Sequence, residues 1–323
     1  MRIGILGAGG IAHKMAETVG GMEEAEVYAV ASRSLEKAED FAKQYQIPKA
    51  YGSYREMAAD PSVDLVYVAT PHSHHYEHVK LCLEHGRHVL CEKAFMINSS
   101  QAKEAVRMAR EKKLLLAEAI WTRYMPSRTI IREAVESGII GGVTSLTANL
   151  GYVIKHKERL AKSELGGGAL LDLGVYPINF ALMVFGEDYR DVSAQAVLSD
   201  QGVDLQNSIT LGWADGRMAV LHSNMQALTD RRGIIHGDKG YLVVENINNC
   251  EALSAYDLDR KLLRRYGIPK QISGYEYEVE ACRRAIENGA VECEEMPLAH
   301  SVAVMELLDR IREILGIHYD CED

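Results

Sequence analysis

Two short stretches of the sequence carry side chains that are suited to moving a proton. Lys93 follows Glu92 at the end of an apolar run, where an amine can hydrogen-bond a reacting hydroxyl and stabilise a developing alkoxide. Asp172 and Tyr176 are four residues apart, so they share one face of a helical turn. Tyrosine is a poor base at its ordinary pKa of about 10, but a nearby lysine favours the phenolate. The set suits the removal of a hydroxyl proton in an alcohol oxidation; the alternatives are a surface ion pair and a packing tyrosine.

A glycine-rich turn follows the first apolar run. Residues 7–12, Gly-Ala-Gly-Gly-Ile-Ala, fit the pattern GxGxx(G/A), in which the first glycine permits a tight turn and the second lets the backbone approach a pyrophosphate. The N–H groups at the start of the following helix can bind phosphate. The alternative is a strand–helix turn without a ligand. We predict a nicotinamide dinucleotide site that includes Gly7, Gly9, Gly10, Ile11 and Ala12.

The end of the second predicted strand bears on which dinucleotide is bound. It reads Ser32, Arg33 and Ser34, where an NAD site usually has an acid that holds the ribose 2′-hydroxyl. Arg33 could instead bind a 2′-phosphate or stack on the adenine, and Lys37 lies one helical turn further on. These four residues predict NADP as the preferred cofactor, with NAD possible; the alternative is that Arg33 is a solvated loop residue.

The elements that must position these residues are of two kinds. In the first part of the chain, apolar runs alternate with amphipathic stretches, which predicts strands at 2–6, 25–31, 65–69, 88–91 and 114–118 and helices at 11–19, 35–45, 75–85 and 100–112. This alternation predicts an N-terminal Rossmann domain, a doubly wound parallel sheet, over residues 1–120. Strands then follow one another, at 143–152, 191–198, 204–213, 217–224, 232–237 and 240–246, with helices at 175–184, 275–288 and 299–315. We predict a C-terminal α+β domain with a mostly antiparallel open sheet over 121–323, for substrate binding and dimerisation.

Composition excludes several classes of partner. The 323 residues carry a net charge of -10, which argues against a nucleic-acid partner. No apolar run reaches about 18 residues and no signal peptide is evident, so we expect no membrane partner. The six cysteines fit no disulfide framework or zinc pattern, so we expect reduced thiols and a cytoplasmic protein. His72, His74, His75 and His78 resemble a metal cluster, but without a supporting motif we predict no metal and a partly exposed helix start.

Taken together, these motifs resemble one known family over the whole chain. They are the turn at 7–12, Ala69-Thr70-Pro71 with His75, the Glu92–Lys93 pair, and residues 166–176, Gly-Gly-Gly-Ala-Leu-Leu-Asp-Leu-Gly-Val-Tyr. The chain resembles the glucose–fructose oxidoreductase/inositol dehydrogenase (Gfo/Idh/MocA) family. Residues 118–126 are similar to a signature of its branch of dimeric dihydrodiol dehydrogenases and NADP-dependent D-xylose dehydrogenases. Ala94 departs from the family's usual proline after the lysine, which bears on the backbone around Lys93.

The resemblance implies roles for individual residues. It implies Lys93 as a catalytic residue, Tyr176 as the acid/base where many relatives carry histidine, and Asp172 as an accessory or substrate-orienting group. The loop after the strand at 65–69 would line the nicotinamide, which adds Thr70, Pro71, His72 and His75 to the predicted cofactor-binding set. Glu92 and Lys93, at the end of the strand at 88–91, complete this set. Interdomain clefts often bind ligands, so the predicted substrate-binding residues are Trp121, Arg123, Tyr152, Asp172 and Tyr176. The alternative for Trp121 is packing between the domains.

The expected function is that of an NADP-dependent oxidoreductase. It would transfer hydride between nicotinamide and a hydroxyl or carbonyl of a small carbohydrate or diol substrate. Two rivals stay open: an NAD-dependent redox-assisted glycosidase, and a non-catalytic NAD(P)-binding sensor. We expect a homodimer or a higher homo-oligomer through the C-terminal sheet, because a wide sheet must cover its apolar side.

Overall fold

The computed structural model describes residues 1–322. In the first part of the chain, strands and helices alternate, as the sequence predicts. The elements are β1 (Arg2–Leu6), α1 (Gly10–Val19), β2 (Glu26–Ala31), α2 (Leu35–Tyr45), β3 (Lys49–Tyr51), α3 (Tyr54–Ala59), β4 (Leu65–Val68), α4 (His75–Glu84), β5 (His88–Glu92), α5 (Ser99–Lys112) and β6 (Leu116–Ala119).

The strands β1 to β6 form one parallel sheet in the order β3-β2-β1-β4-β5-β6. This is a doubly wound order, in which the direction of winding reverses between β1 and β4. Strands that are covered on both faces need no polar alternation, and all four residues of β4 are at most 1% exposed. The predicted Rossmann sheet is confirmed.

The carboxyl ends of four of these strands lie side by side. Leu6 of β1 pairs with Ala31 of β2 and with Val68 of β4, and Val68 pairs in turn with Cys91 of β5. The loops that leave β1, β2, β4 and β5 therefore start along one edge of the sheet. We call this the cofactor edge.

The elements that follow in the chain include the eight strands of a second sheet. They are α6 (Pro126–Glu136), β7 (Val143–Gly151), α7 (Glu158–Ala161), a π-helical turn (Leu170–Gly174), α8 (Val175–Phe185), β8 (Tyr189–Leu198), β9 (Asp204–Trp213), β10 (Met218–Asn224), β11 (Gly233–Gly237), β12 (Gly240–Glu245), β13 (Ala252–Asp257), β14 (Leu262–Tyr266), α9 (Glu276–Glu287) and α10 (Leu298–Leu315). The strand order is β14-β13-β12-β11-β7-β10-β9-β8. The pair β7–β10 is parallel and the other pairs are antiparallel, so the predicted mostly antiparallel sheet is confirmed.

Helix α8 is the most apolar helix of this second part and packs on β7 and β10. Among the described residues, one stretch, Ser163–Phe185, is long and apolar enough to cross a membrane, although the sequence analysis expected none. The sequence analysis looked for an uninterrupted apolar run, and it missed this stretch because a few polar residues interrupt it. Its most apolar 18-residue window is 89% buried in the protein, which is the burial of a core helix.

The chain folds into two compact units. The first comprises Met1–Tyr124 and Gln271–Met305, and the second comprises Met125–Lys270 and the chain from Glu306 onward. The segment that contains α9 thus belongs with the parallel sheet, although the sequence analysis assigned it to the C-terminal domain. The Leu116 N–H of edge strand β6 donates to the Val291 carbonyl (3.1 Å). An amphipathic pattern shows that a helix has a buried face, but not which sheet it covers.

Six of the helices and strands labelled above were not predicted: β3, α3, α6, α7, β13 and β14. Strand β14, with the sequence Leu-Leu-Arg-Arg-Tyr, is an exposed edge strand, so it lacks the alternation that marks a half-buried strand. Strand β3 has three residues, which is too short for any periodicity to be visible.

Candidate functional site

The glycine turn presents bare backbone at the start of α1. Gly7 has a φ of 109°, and a Cβ there would lie 2.8 Å from the Ala69 carbonyl oxygen, so the position requires glycine. A Cβ at Gly9 or Gly10 would meet no described protein atom within 4 Å, and no described side chain caps α1. The open turn and the first N–H groups of α1 therefore fit a pyrophosphate.

The remaining residues of the turn differ in exposure. Ala12 is fully buried, as expected of the small residue that lets α1 pack closely on the sheet. Ile11 is half-buried, and nothing else in its surroundings distinguishes it. The turn is thus held by its backbone and by close packing of the helix.

The loop after β2 combines local hydrogen bonds with exposed cations. The Ser34 hydroxyl oxygen caps α2 by accepting from the Lys37 N–H, and the Ser32 hydroxyl oxygen accepts from the Ser34 N–H, each at 3.4 Å. Arg33 and Lys37 are exposed. Burial lowers the pKa of His74, and the nearby Arg33 guanidinium lowers it further. Two exposed cations, Arg33 and Lys37, therefore stand at this point of the cofactor edge.

His75 joins the loops that leave β4 and β5. Its ring is fully buried, with Nε2 2.8 Å from the Thr70 carbonyl oxygen and Nδ1 2.9 Å from the Ala94 carbonyl oxygen. Burial lowers the pKa of His75 to about 4. Lys93 is half-buried, and the peptide bond between Lys93 and Ala94 is cis. The predicted Thr70, His75 and Lys93 therefore lie together on the cofactor edge.

The neighbouring histidines are bound to nearby hydroxyl groups. Pro71 precedes a single 3-10 turn, His72–His74, in which His72 is buried. Nδ1 of His74 lies 2.7 Å from the Ser73 hydroxyl, and Nδ1 of His78 lies 3.0 Å from the Thr70 hydroxyl. Within residues 1–322, no group of three or more His, Cys, Asp or Glu side chains is placed to hold a metal ion.

Buried acids surround Glu92, next to Lys93. Glu92 accepts hydrogen bonds from the Tyr67 hydroxyl and from the Lys93 N–H. Burial raises the pKa of Glu118 to about 7 and raises that of Glu278 well above its usual range, and the charge of Glu92 raises both further. The sequence analysis named Glu118 only as the first residue of the signature at 118–126 and did not name Glu278, because glutamates are usually exposed. The one available signal was the position of Glu118 as the last residue of an apolar predicted strand, 114–118.

Trp121 and Arg123 lie in the interior of the first unit. Trp121 stacks on Tyr275, with ring centroids 4.1 Å apart and an interplanar angle of 3°. The Arg123 Nη2 atom lies 2.8 Å from His300 Nδ1, and the Arg123 Nε donates to the Met296 sulfur at 3.4 Å. Tyr275 was missed because nothing in the local sequence pairs it with a residue about 150 positions earlier.

Asp172 and Tyr176 lie in consecutive helical segments of the second unit. Asp172 is in the π-helical turn, and Tyr176 is the second residue of α8. Pro177 is in the first turn of α8, as the sequence predicted, where a missing N–H breaks no helical hydrogen bond. Asp172 and Tyr176 are 5% and 7% exposed. Single π-turns are frequent at functional sites.

A buried acid supports the start of this segment. Gly168 has a φ of 105°, and a Cβ there would lie 2.3 Å from Oδ1 of Asp204. Asp204 is fully buried, and the Asn207 side-chain amide donates to its Oδ2 at 2.7 Å. Burial raises the pKa of Asp204. This contact explains a requirement for glycine at position 168, and the sequence analysis missed Asp204, which is the first residue of a predicted strand.

Two further residues flank β7 and α8. The hydroxyl of Tyr152, which follows β7, accepts hydrogen bonds from Arg231 Nη1 and Asn248 Nδ2, each at 3.4 Å. Arg159 of α7 donates from Nη1 to Oδ1 of Asp172 at 3.0 Å. The sequence analysis named Tyr152 for substrate binding and did not consider Arg159.

Fold and motif together define a class of protein. The model of an oxidoreductase family with an NAD-binding Rossmann fold matches residues 1–119, and the model of the GFO/IDH/MocA C-terminal domain matches residues 129–243. The protein is thus an NAD(P)-binding oxidoreductase. More specifically, the chain belongs to the GFO/IDH/MocA family, so the predicted family is confirmed.

Individual relatives match nearly the whole chain. The trans-1,2-dihydrobenzene-1,2-diol dehydrogenase of Xenopus tropicalis is 36% identical over 303 residues, which cover 91% of each chain. The human enzyme of the same name is 32% identical over 302 residues, 92% of this chain and 90% of its own. The solved structure of KijD10, a 3-ketoreductase from Actinomadura kijaniata in complex with NADP and TDP-benzene, matches with a TM-score of 0.91 at 25% identity over 98% of each chain. The predicted enzyme class, a dehydrogenase or reductase, is confirmed.

Proposed function

We propose that this protein is an NADP-dependent oxidoreductase that acts on a hydroxyl or carbonyl group of a sugar-like or diol substrate. The cofactor edge carries the proposal. The bare glycine turn follows β1, Arg33 follows β2, Thr70 follows β4 and Lys93 follows β5, and the carboxyl ends of these strands are neighbours in the sheet. Ligands of open α/β sheets bind at that edge, where the strand order reverses.

The loop after β2 supports NADP over NAD. Ser32, Arg33 and Ser34 stand where an acid would hold the 2′-hydroxyl of NAD, and Arg33 is exposed on that loop. A guanidinium can bind a phosphate dianion in a bidentate manner. The KijD10 relative, whose structure contains NADP, is consistent with this assignment.

The proposed roles follow from the chemistry of each side chain. When bound, the nicotinamide cofactor supplies or accepts the hydride. Lys93 would hydrogen-bond the reacting oxygen and stabilise negative charge on it. Tyr176 would give its proton to the substrate in reduction and take it back in oxidation, while Asp172 would orient the substrate. Asp172 and Tyr176 are nearly withdrawn from solvent, which strengthens the electrostatic interactions they make.

The substrate class is proposed from the relatives and from the aromatic residues. The relatives' names describe a diol dehydrogenase and a ketoreductase. The half-buried ring of Tyr275, which stacks on the buried Trp121, would give an apolar surface to the carbon skeleton of a cyclic substrate. We therefore favour aldoses, cyclic polyols and vicinal diols, or their carbonyl forms.

A spectrophotometric screen tests the proposal directly. Aldoses, cyclic polyols, diols and dicarbonyls would each be incubated with NADP(H) and NAD(H), and the nicotinamide absorbance followed. We expect turnover with at least one class and a higher kcat/KM for NADP(H). Glycoside cleavage without net NADPH formation would instead identify a redox-assisted glycosidase, and NADP binding without any turnover would identify a sensor.

The assembly and location are proposed as well. The outer face of the second sheet carries Met218 and Val220 of β10 exposed, while the intervening Ala219 is buried; we propose a homodimer or higher oligomer through this face. Light scattering should give at least a dimer for the wild type and a smaller species for Val220→Glu. The six cysteines are free thiols, which is consistent with a cytoplasmic protein.

A further inference from the structure

The Arg159 side chain forms an ion pair with the segment that carries Asp172 and Tyr176. Arg159 Nη1 lies 3.0 Å from Asp172 Oδ1, and the two side chains are 41% and 6% exposed. The contact joins α7 to the π-helical turn, thirteen residues further along the chain. A nearly buried carboxylate requires compensation for its lost hydration, and a guanidinium bonded to it is among the strongest partners that a protein offers.

The backbone holds Arg159 in this place. The Gly168 N–H donates to the Leu160 carbonyl at 2.9 Å, and the Gly167 N–H donates to the Lys162 carbonyl at 3.0 Å. Leu160 is fully buried. The short helix α7 is therefore anchored to the glycine segment that leads into the π-helical turn. The backbone that carries the Arg159 side chain is thus held in place. Arg159 consequently contacts Asp172 from an anchored helix and not from an unsupported loop.

We propose that Arg159 is a positioning residue that acts through Asp172. By engaging Oδ1, Arg159 sets the plane of the carboxylate and with it the direction of Oδ2, so that Asp172 meets the substrate in one orientation. This inference rests on the proposed function, in which Asp172 orients the substrate for proton transfer at Tyr176. Holding a group in its reactive orientation lowers the barrier without any contact between Arg159 and the substrate.

The chain supplies a matched control for Arg159. Lys162 lies three residues away, its side chain is likewise 41% exposed, and it pairs with Glu158 at 2.7 Å and Glu164 at 3.4 Å. Both of these glutamates are largely exposed. Lys162→Ala thus removes a cation of equal exposure from the same segment without touching Asp172.

The test combines steady-state kinetics with a double-mutant cycle. Arg159→Ala should lower kcat about tenfold to a hundredfold and leave the Kd for NADP unchanged, and Lys162→Ala should leave kcat unchanged. Added guanidinium ion should restore part of the activity of Arg159→Ala. Because Arg159 acts through Asp172, adding Arg159→Ala to Asp172→Asn should cause no further loss of kcat.

Several results would overturn the proposal. They are a kcat for Arg159→Ala equal to that of the wild type, a raised substrate KM with kcat unchanged (direct substrate contact), or losses that add fully in the double variant. If Arg159→Ala does not fold, Arg159→Lys should keep more activity than Arg159→Gln, and the reverse order refutes the proposal. A wild type that turns over no substrate would refute the proposed function instead. In that case crystal structures of the wild type and of Arg159→Gln still test the role of Arg159. A reoriented Asp172 carboxylate in the variant would support positioning by Arg159, and an unmoved carboxylate would refute it.

Discussion

The cofactor edge and the Asp172–Tyr176 segment carry the proposed chemistry in different ways. At the cofactor edge, bare backbone and exposed side chains such as Arg33 stand on loops that leave a sheet whose central strand β4 is buried on both faces. In the second unit, Asp172 and Tyr176 are nearly buried in a helical segment. Arg159 donates a hydrogen bond to Asp172, and Asp204 lies beside Gly168 at the start of the same segment.

This difference separates binding from turnover. A loop residue on a rigid sheet can be changed with little effect on the fold, so its loss should appear in cofactor affinity. A residue in a buried polar segment cannot be changed without consequences for its neighbours, because each buried polar group needs its partner. We therefore expect changes in the second region to alter turnover and stability, and changes at Arg33 to alter the Kd for NADP.

The largest expected effect is the loss of turnover in Tyr176→Phe. If general acid–base catalysis carries the step, kcat should fall a hundredfold to ten-thousandfold, while the Kd for NADP stays near the wild-type value. Lys93→Met should lower kcat by at least two orders of magnitude as well. Steady-state kinetics and fluorescence titration with NADPH measure the two quantities, and near-normal kcat in either variant would remove that residue from the mechanism.

The next effect is a pH dependence of the unfolding free energy that comes from Glu118, a buried acid of the first unit. The pKa of Glu118 is raised to about 7 from an ordinary 4.5, so the unfolded chain releases this proton at lower pH than the folded protein. The stability contributed by protonated Glu118 is present below pH 4.5 and is lost as the pH rises through 7, a loss of roughly 3 kcal/mol.

Urea unfolding at pH 5 and pH 7.5 would measure this pH dependence. Glu118→Gln should lose less stability between the two pH values than the wild type. The control Glu39→Gln changes an exposed glutamate on α2 and should keep the wild-type pH dependence. An equal loss in Glu118→Gln and the wild type would show that Glu118 does not cause it.

A glycine pair tests the packing of the second region. Gly168 and Gly202 both have positive φ, 105° and 73°. A Cβ at Gly168 would meet Asp204 at 2.3 Å, whereas one at Gly202 would meet no described atom within 4 Å. Gly168→Ala should therefore cost about 2 kcal/mol more unfolding free energy than Gly202→Ala. Equal losses would mean that backbone strain alone accounts for both.

The smallest expected effect is at the cofactor edge. Arg33→Ala should raise the Kd for NADP about tenfold, because a charge-assisted contact with the 2′-phosphate is lost, and should leave the Kd for NAD unchanged. Lys43→Ala, which removes an exposed cation on α2, should change neither Kd. Isothermal titration with both dinucleotides measures this, and an equal weakening of NAD binding would place Arg33 away from the 2′-phosphate.

Most of the cofactor edge could be predicted from the sequence. Parallel strands are read from short apolar runs, and residues that follow such runs lie on one edge, so Gly7, Arg33, Thr70 and Lys93 could be grouped before any contact was known. The contacts of His75 with Thr70 and Ala94 could not. They depend on how two loops approach each other, and no local pattern records that approach.

The sequence by itself determined the order of the elements, the glycine turn, the start of α8 at Val175 and the family. These depend on hydrophobic periodicity, glycine and proline, which act on neighbouring residues. Only the tertiary structure decided that Gln271–Met305 joins the first unit, that Arg159 pairs with Asp172, and that Asp204 lies against Gly168. The physical reason is that a buried charge or polar group takes its partner from whatever folding brings close, often from a distant part of the chain.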